Sequence, residues 1–178
     1  MTFARVRALV VVSILVILAG VFVGYALIED SQKGKSVAEK CPDGWKVVDL
    51  NLREAEDIKI TVLNATDRPN LAGSVANDFS NRGFQVEKKG NAKTAVNGVA
   101  VLRYGPKAVG AAHLVRAYFL DEAEAQYDPE RTDDIVDVII GKDFKQLATS
   151  TEVNQSLVEL TAAGEPKLPA QSCPAPKV

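Results

Sequence analysis

Histidine occurs once in these 178 residues, as His113, and cysteine twice, as Cys41 and Cys173, with no CxxC pair. Each scarcity excludes a class of chemistry. A zinc site takes about four ligands, and this inventory does not supply them. A catalytic thiol takes a histidine partner, and nothing in the sequence brings His113 to either cysteine. Neither a G-x-S-x-G nucleophile elbow nor a cofactor fingerprint of glycines after a strand is present. Gly34-Lys35-Ser36 is not a phosphate-binding loop, because Glu29 stands where that motif requires its first glycine. The carboxylates Asp121, Glu122, Glu124, Asp128, Glu130, Asp133 and Asp134 lack the spaced D-x-D-x-D-G pattern of a calcium loop. A formal net charge of −2, without any nucleic-acid-binding signature, argues against nucleic acid as a partner. The chain therefore reads as a protein with no catalytic residues, no cofactor and no metal.

The sequence does contain a membrane signature. From Ala8 to Leu27 no residue is charged, and Arg5 and Arg7 precede the run. Twenty helical residues at about 1.5 Å each span about 30 Å, the hydrocarbon thickness of a bilayer. Ser13, Gly20 and Gly24 are tolerated there because a helix satisfies its own backbone. We read residues 1–28 as a cytoplasmic stub and a single-pass transmembrane helix. A secretory signal cleaved at Gly24-Tyr25-Ala26 is the alternative. Lys33, Lys35 and Lys40 outnumber the two upstream arginines, so charge alone does not orient the helix.

The cysteines favour export. Cys41 opens the polar part of the chain and Cys173 nearly closes it, each followed by a proline. At the two ends of a small exported domain they read most simply as one structural disulfide, with two unrelated free thiols as the alternative. The expected topology is a cytoplasmic N-terminus and an extracytoplasmic C-terminal domain. Residues 29–40 form a polar tether, 41–163 the domain, and 164–178 a proline-rich tail pinned by Cys173. Trp45, close to Cys41, is expected to pack over the bridge.

Within the domain the hydrophobic period alternates between two and 3.6. Ile58, Ile60 and Val62 mark a first strand. Leu71, Val75 and Phe79 mark a helix stopped by Asn81-Arg82-Gly83, and Phe84 to Glu87 a second strand. Gly90-Asn91 and Asn97-Gly98 suggest a long hairpin loop leading into a third strand, Val99 to Tyr104. Ala108, Ala112, Val115 and Phe119 make the buried stripe of a second helix, with His113, Arg116 and Leu120 on its flank. Ile135 to Ile140 is a fourth strand, and Thr151 to Leu160 a last short helix. This βαββαβ order predicts an α+β fold: an antiparallel four-stranded sheet with two helices on one face, preceded by the transmembrane helix. Antiparallel first and fourth strands would bring the two cysteines to one end.

Three irregular segments would gather at the other end: Asn64 to Asn70, the hairpin Lys88 to Asn97, and Asp121 to Asp134. Loops on a rigid scaffold carry function more often than core positions do. Asn64, Thr66, Asp67, Arg68 and Asn70 sit where a strand becomes a helix, a place able to hold an anion through backbone N–H groups and the helix dipole. The competing reading is that Asp67 or Asn70 only caps the helix. Lys88, Lys89 and Lys93 are candidates for contact with an anionic wall polymer or lipid headgroup. Asn64-Ala65-Thr66 and Asn154-Gln155-Ser156 match the glycosylation triplet.

Four segments carry a resemblance: Val62-Leu63-Asn64-Ala65-Thr66, Asn70-Leu71-Ala72-Gly73, Arg82-Gly83-Phe84-Gln85-Val86, and Val138-Ile139-Ile140-Gly141-Lys142-Asp143. In this order they resemble the LytR C-terminal domain of bacterial envelope proteins, over about Ile58 to Phe144. Ala65 departs from the glycine usual in that family. The resemblance implies an accessory module without catalytic residues. It also implies a membrane-anchored, non-enzymatic protein that maintains the cell envelope by binding a partner, either another envelope protein or a cell-wall component. The alternative is a direct receptor for a wall glycan or a lipid-linked intermediate.

Overall fold

The structure, a computed structural model, describes residues 12–21, 41–162 and 167–175. Residues 12–21 are helical (α1), and the apolar side chains Val12, Ile14 to Leu18 and Val21 along them are exposed. Among the described residues no helix is long and apolar enough to cross a membrane. The rest of the run from Ala8 to Leu27, the stub, the tether and tail residues 164–166 and 176–178 lie outside the described residues.

Residues 41–177 form a unit of their own. In chain order its strands are β1 (Lys46–Val48), β2 (Lys59–Asn64), β3 (Gln85–Asn91), β4 (Ala100–Tyr104), β5 (Glu124–Tyr127), β6 (Ile135–Ile140) and β7 (Ser172–Pro174). Its helices are α2 (Leu71–Asn81), α3 (Val109–Ala117) and α4 (Ser150–Ala162). The main sheet has the order β3-β2-β6-β4-β5, and β1 and β7 form a separate two-stranded ribbon.

Both helices of the predicted core lie on one sheet face. Leu71, Ala72, Val75, Ala76 and Phe79 of α2 share a cluster with Ala111, Ala112 and Val115 of α3 and with Ile60, Val62, Leu102, Val136, Val138 and Ile140 of the sheet. Strand alternation explains the choice of face, since successive side chains point to opposite sides. Phe79, fully buried, meets Phe84 edge-on at 5.1 Å between ring centroids and Phe119 at 6.2 Å. α4 packs Val153 against Ala117 and Ala148. Its first turn is closed by a capping box: the Glu152 carboxylate accepts from Thr149 N–H at 2.7 Å, and the Thr149 hydroxyl accepts from Glu152 N–H at 3.4 Å.

The sheet is not antiparallel. β2 pairs in parallel with both β3 and β6, β4 pairs in parallel with β5, and β4–β6 is the antiparallel pair. The reason is connection length: α2 and α3 are crossovers long enough to return the chain in the same direction, each making a βαβ unit. The predicted hairpin is likewise absent, because β2 and β6 lie between β3 and β4. Residues 92–99 instead cross the sheet ends, where Ala92 N–H bonds Asn64 O at 2.8 Å and Gly141 N–H bonds Val99 O at 2.9 Å. The acidic segment, expected to be irregular, contains β5, a short edge strand with little apolar content.

Cys41 and Cys173 are joined, with their Cα atoms 5.9 Å apart. The geometric reason differs from the one expected. Parallel β2 and β6 send the chain out at the end opposite to where it came in, and residues 141–171, with α4, bring it back to form β7. Val47 then lies beside Cys173 in the parallel ribbon. Trp45 is 45% exposed.

Candidate functional site: the open face of the sheet

The strand-to-helix turn after β2 is a self-satisfied structure. Asn64 is buried. Its Oδ1 accepts from Thr66 N–H at 3.0 Å and from Thr66 Oγ1 at 2.8 Å, while its Nδ2 donates to Arg68 O at 2.7 Å. Thr66 Oγ1 accepts from Arg68 N–H at 3.1 Å, and Arg68 Nη1 reaches back to Phe144 O at 2.7 Å. Each polar atom of the Asn64 amide is thus committed within the fold, and the glycosylation triplet there has its asparagine inside. Asp67 and Asn70 are exposed. Asn70 stands at the N-cap of α2 in the left-handed region, with φ 56°, and its side chain makes no capping hydrogen bond. No side-chain cap is built here.

Much of the resemblance resolves into backbone geometry. A Cβ on Gly141 would overlap the Gly98 carbonyl oxygen, so glycine is what lets residues 96–99 cross the end of β6. Gly83 has φ 94°, where L side chains are strained. Ala65 is buried against Val101 and Ile139, and its N–H bonds Ile140 O at 2.9 Å.

The lysines have a different setting. Lys88 and Lys89 lie in edge strand β3, and Lys93 follows it. Ile60 pairs with Val86 but Thr61 pairs with Lys88, so Glu87 is an extra residue, a β-bulge. The bulge puts Lys88 opposite Thr61, on the face away from the helices, and Lys89 opposite Val62, on the helix side. Lys88 and Lys93 therefore share a groove, and Lys89 is not part of it.

That groove, of about 890 Å³, runs over the sheet face that carries no helix. Its floor is Leu63, Val101 and Ile139, side by side on β2, β4 and β6. The crossing segment 92–98 walls one end. Arg103, Glu124 and Gln126, absent from our sequence-based candidates, complete the lining. Their signal was present in strand alternation, since Arg103 follows buried Leu102, but β5 had to be seen before the last two could be placed. At the other end Arg131 holds Asp137 at 2.8 Å and Asp133 at 2.7 Å, and donates to Arg103 O at 3.0 Å. Arg131's hydrogen bond keeps the Asp133 carboxyl below its usual pKa, against the opposing effect of burial. Asp137 is thus neutralised, whereas Lys88, Lys93 and Arg103 have no ion-pair partner among the described residues. The groove presents three cations against one carboxylate, Glu124.

The remaining acidic residues do not gather at one end. Parallel pairing with β4 carries β5 back toward the end of the sheet where β2 begins, and there Glu130 meets Lys46 at 3.1 Å and Asp134 meets Lys59 at 3.2 Å. His113 is half-buried on the flank of α3. Burial, and then Arg116, hold its pKa below the ordinary imidazole value, with Asp121 opposing.

The family model described as LytR cell envelope-related transcriptional attenuator matches residues 57–144, which run from the start of β2 to just past β6. The chain is 29% identical over 129 residues to the cell envelope integrity protein Cei of Mycobacterium tuberculosis. The matched part is 70% of this chain and 59% of that relative. A crystal structure of the soluble domain of a conserved hypothetical secreted protein from Mycobacterium marinum is similar at a TM-score of 0.53 and 27% identity, covering 68% of this chain and 82% of that one. Residues 57–144 therefore match the LytR C-terminal family, and the chain is similar to an envelope-related protein.

Proposed function

We propose that this is a non-enzymatic, single-pass membrane protein that maintains the cell envelope by holding a partner on the open face of its extracytoplasmic domain. The uncharged run from Ala8 to Leu27 supports the anchor, and the Cys41–Cys173 bridge supports export. The integrity role rests on likeness to a relative of that name. The observation that carries partner binding is the groove itself: Lys88, Lys93 and Arg103, none of them in an ion pair among the described residues, against the single carboxylate of Glu124 around an apolar floor. Such a surface takes a negatively charged partner, which is either the acidic face of another envelope protein or an anionic wall component. The floor beside the cations favours a second reading, a receptor for a lipid-linked intermediate whose phosphate meets the lysines.

Sedimentation of the purified full chain with isolated envelopes tests this. Lys88→Glu and Arg103→Glu should each weaken retention about tenfold at low salt, and added salt should weaken the parent in parallel. Retention unchanged by both reversals would remove the groove from the account. A photocrosslinker at Thr94 separates the readings, since it traps either protein or glycolipid. A C-terminal reporter active only outside the cytoplasm should be active.

A further inference from the structure

A second cavity lies on the helix side of the sheet and is untouched by the groove. α3 packs on β4 and leaves the helix-facing side chains of β5 uncovered, so that Ala125 is exposed there. Across this cleft runs the tail segment Lys167 to Ala170, held by β7 and the disulfide. The half-open cleft has a volume of about 400 Å³, within the range of small-molecule sites, roughly 300–1,000 Å³.

Its lining has one chemical character. The ionisable groups are Arg116, Lys167, His113 and the phenols of Tyr104 and Tyr127, and no carboxylate lines it. The Tyr127 hydroxyl is buried without a hydrogen-bond partner among the described residues. The hydroxyl is closed off from the cavity as well, so Tyr127 lines it with its ring. Arg116 Nε lies 2.8 Å from Asp121 Oδ1 without hydrogen-bond alignment, and Nη2 donates to Asp121 O at 3.3 Å. Arg116 is thus ion-paired with Asp121, while its Nη1 has no hydrogen-bond partner among the described residues. Leu168 and Pro169 of the tail add an apolar wall.

We propose that this cavity binds a small amphiphilic anion, a carboxylate or phosphate ester on a short apolar body, with Arg116 and Lys167 on the anion and the body against Leu168 and Pro169. This site is separate from the sheet groove and does not depend on what the groove binds.

His113 reports on the site because it is the single histidine of the chain. The charged and titratable groups around it are Arg116 on its own helix, Asp121 beyond it, Tyr104 on β4, Tyr127 on β5 and Lys167 on the tail. The full chain in nanodiscs is titrated by NMR with hexanoate and with hexyl phosphate, against hexanol and inorganic phosphate as body-only and head-only controls. Either amphiphilic anion should raise the His113 pKa saturably by about one unit, because a nearby negative charge favours the imidazolium. Hexanol should not. Arg116→Gln and Lys167→Ala should each weaken binding about tenfold, and exposed Lys167 keeps the test valid should the arginine variant fail to fold. A His113 titration unmoved by both anions overturns the proposal, as does an equal shift with hexanol or with inorganic phosphate.

Discussion

Both ends of the Asn64 amide are committed inside the protein, to Thr66 on one side and to the Arg68 carbonyl on the other. An alanine there leaves those groups in a buried corner without partners. Asn64→Ala should lower stability by about 2–3 kcal/mol, read as an earlier urea midpoint with an unchanged slope, while retention of the remaining folded chain on envelopes stays as in the parent. A loss of retention with unchanged stability would make Asn64 a binding residue after all. Residue types alone could not settle this, because an asparagine that builds a turn and one that lines a site look identical in a sequence. Gly141 carries the same lesson: its place in the motif reflects the Gly98 carbonyl passing over it.

Hydrophobic period located most of the elements, and it did so because burial on one face is a local property of the chain. β2, β4, β6, α2 and α3 are where Ile60, Leu102, Val138, Val75 and Val115 placed them. Pairing direction was misread, since the same strands and helices can be ordered as parallel βαβ units or as split ones. β5 escaped because Glu124 to Tyr127 has almost no apolar content and gains its structure from β4 alone. The bulge in β3 yields a discriminating test at this scale. Deleting Glu87 removes the extra residue and leaves Lys88 opposite Thr61. Deleting Lys89 also makes a regular strand, but one that puts Glu87 in the groove and turns Lys88 to the helix side. Both variants should fold within about 1 kcal/mol of each other, yet only the first should retain envelope binding. Equal binding by the two would mean that Lys88 does not act from the open face.

For the molecule as a whole, the ribbon of β1 and β7 lies outside the matched residues 57–144, and the disulfide beside it joins positions 132 apart in sequence. A bridge closing so long a loop is worth roughly 5 kcal/mol in the chain-entropy model, and measured values are more often about 2–4. Replacing Cys41 and Cys173 together by serine should therefore lower the melting temperature of the full chain and expose residues 167–175 to protease, while the five-stranded sheet keeps its circular dichroism. The same change should weaken hexanoate binding beside His113, because the tail forms one wall of that cavity. Composition, the uncharged N-terminal run, the placement of the two cysteines and the core periodicity were properties of the sequence itself, because each depends on residue type or on neighbours a few positions away. Strand direction, the face on which Lys88 stands, the meeting of Arg103 with Gln126 across β4 and β5, and the tail lying over Tyr127 were decided by tertiary structure, because each depends on which distant segments pair.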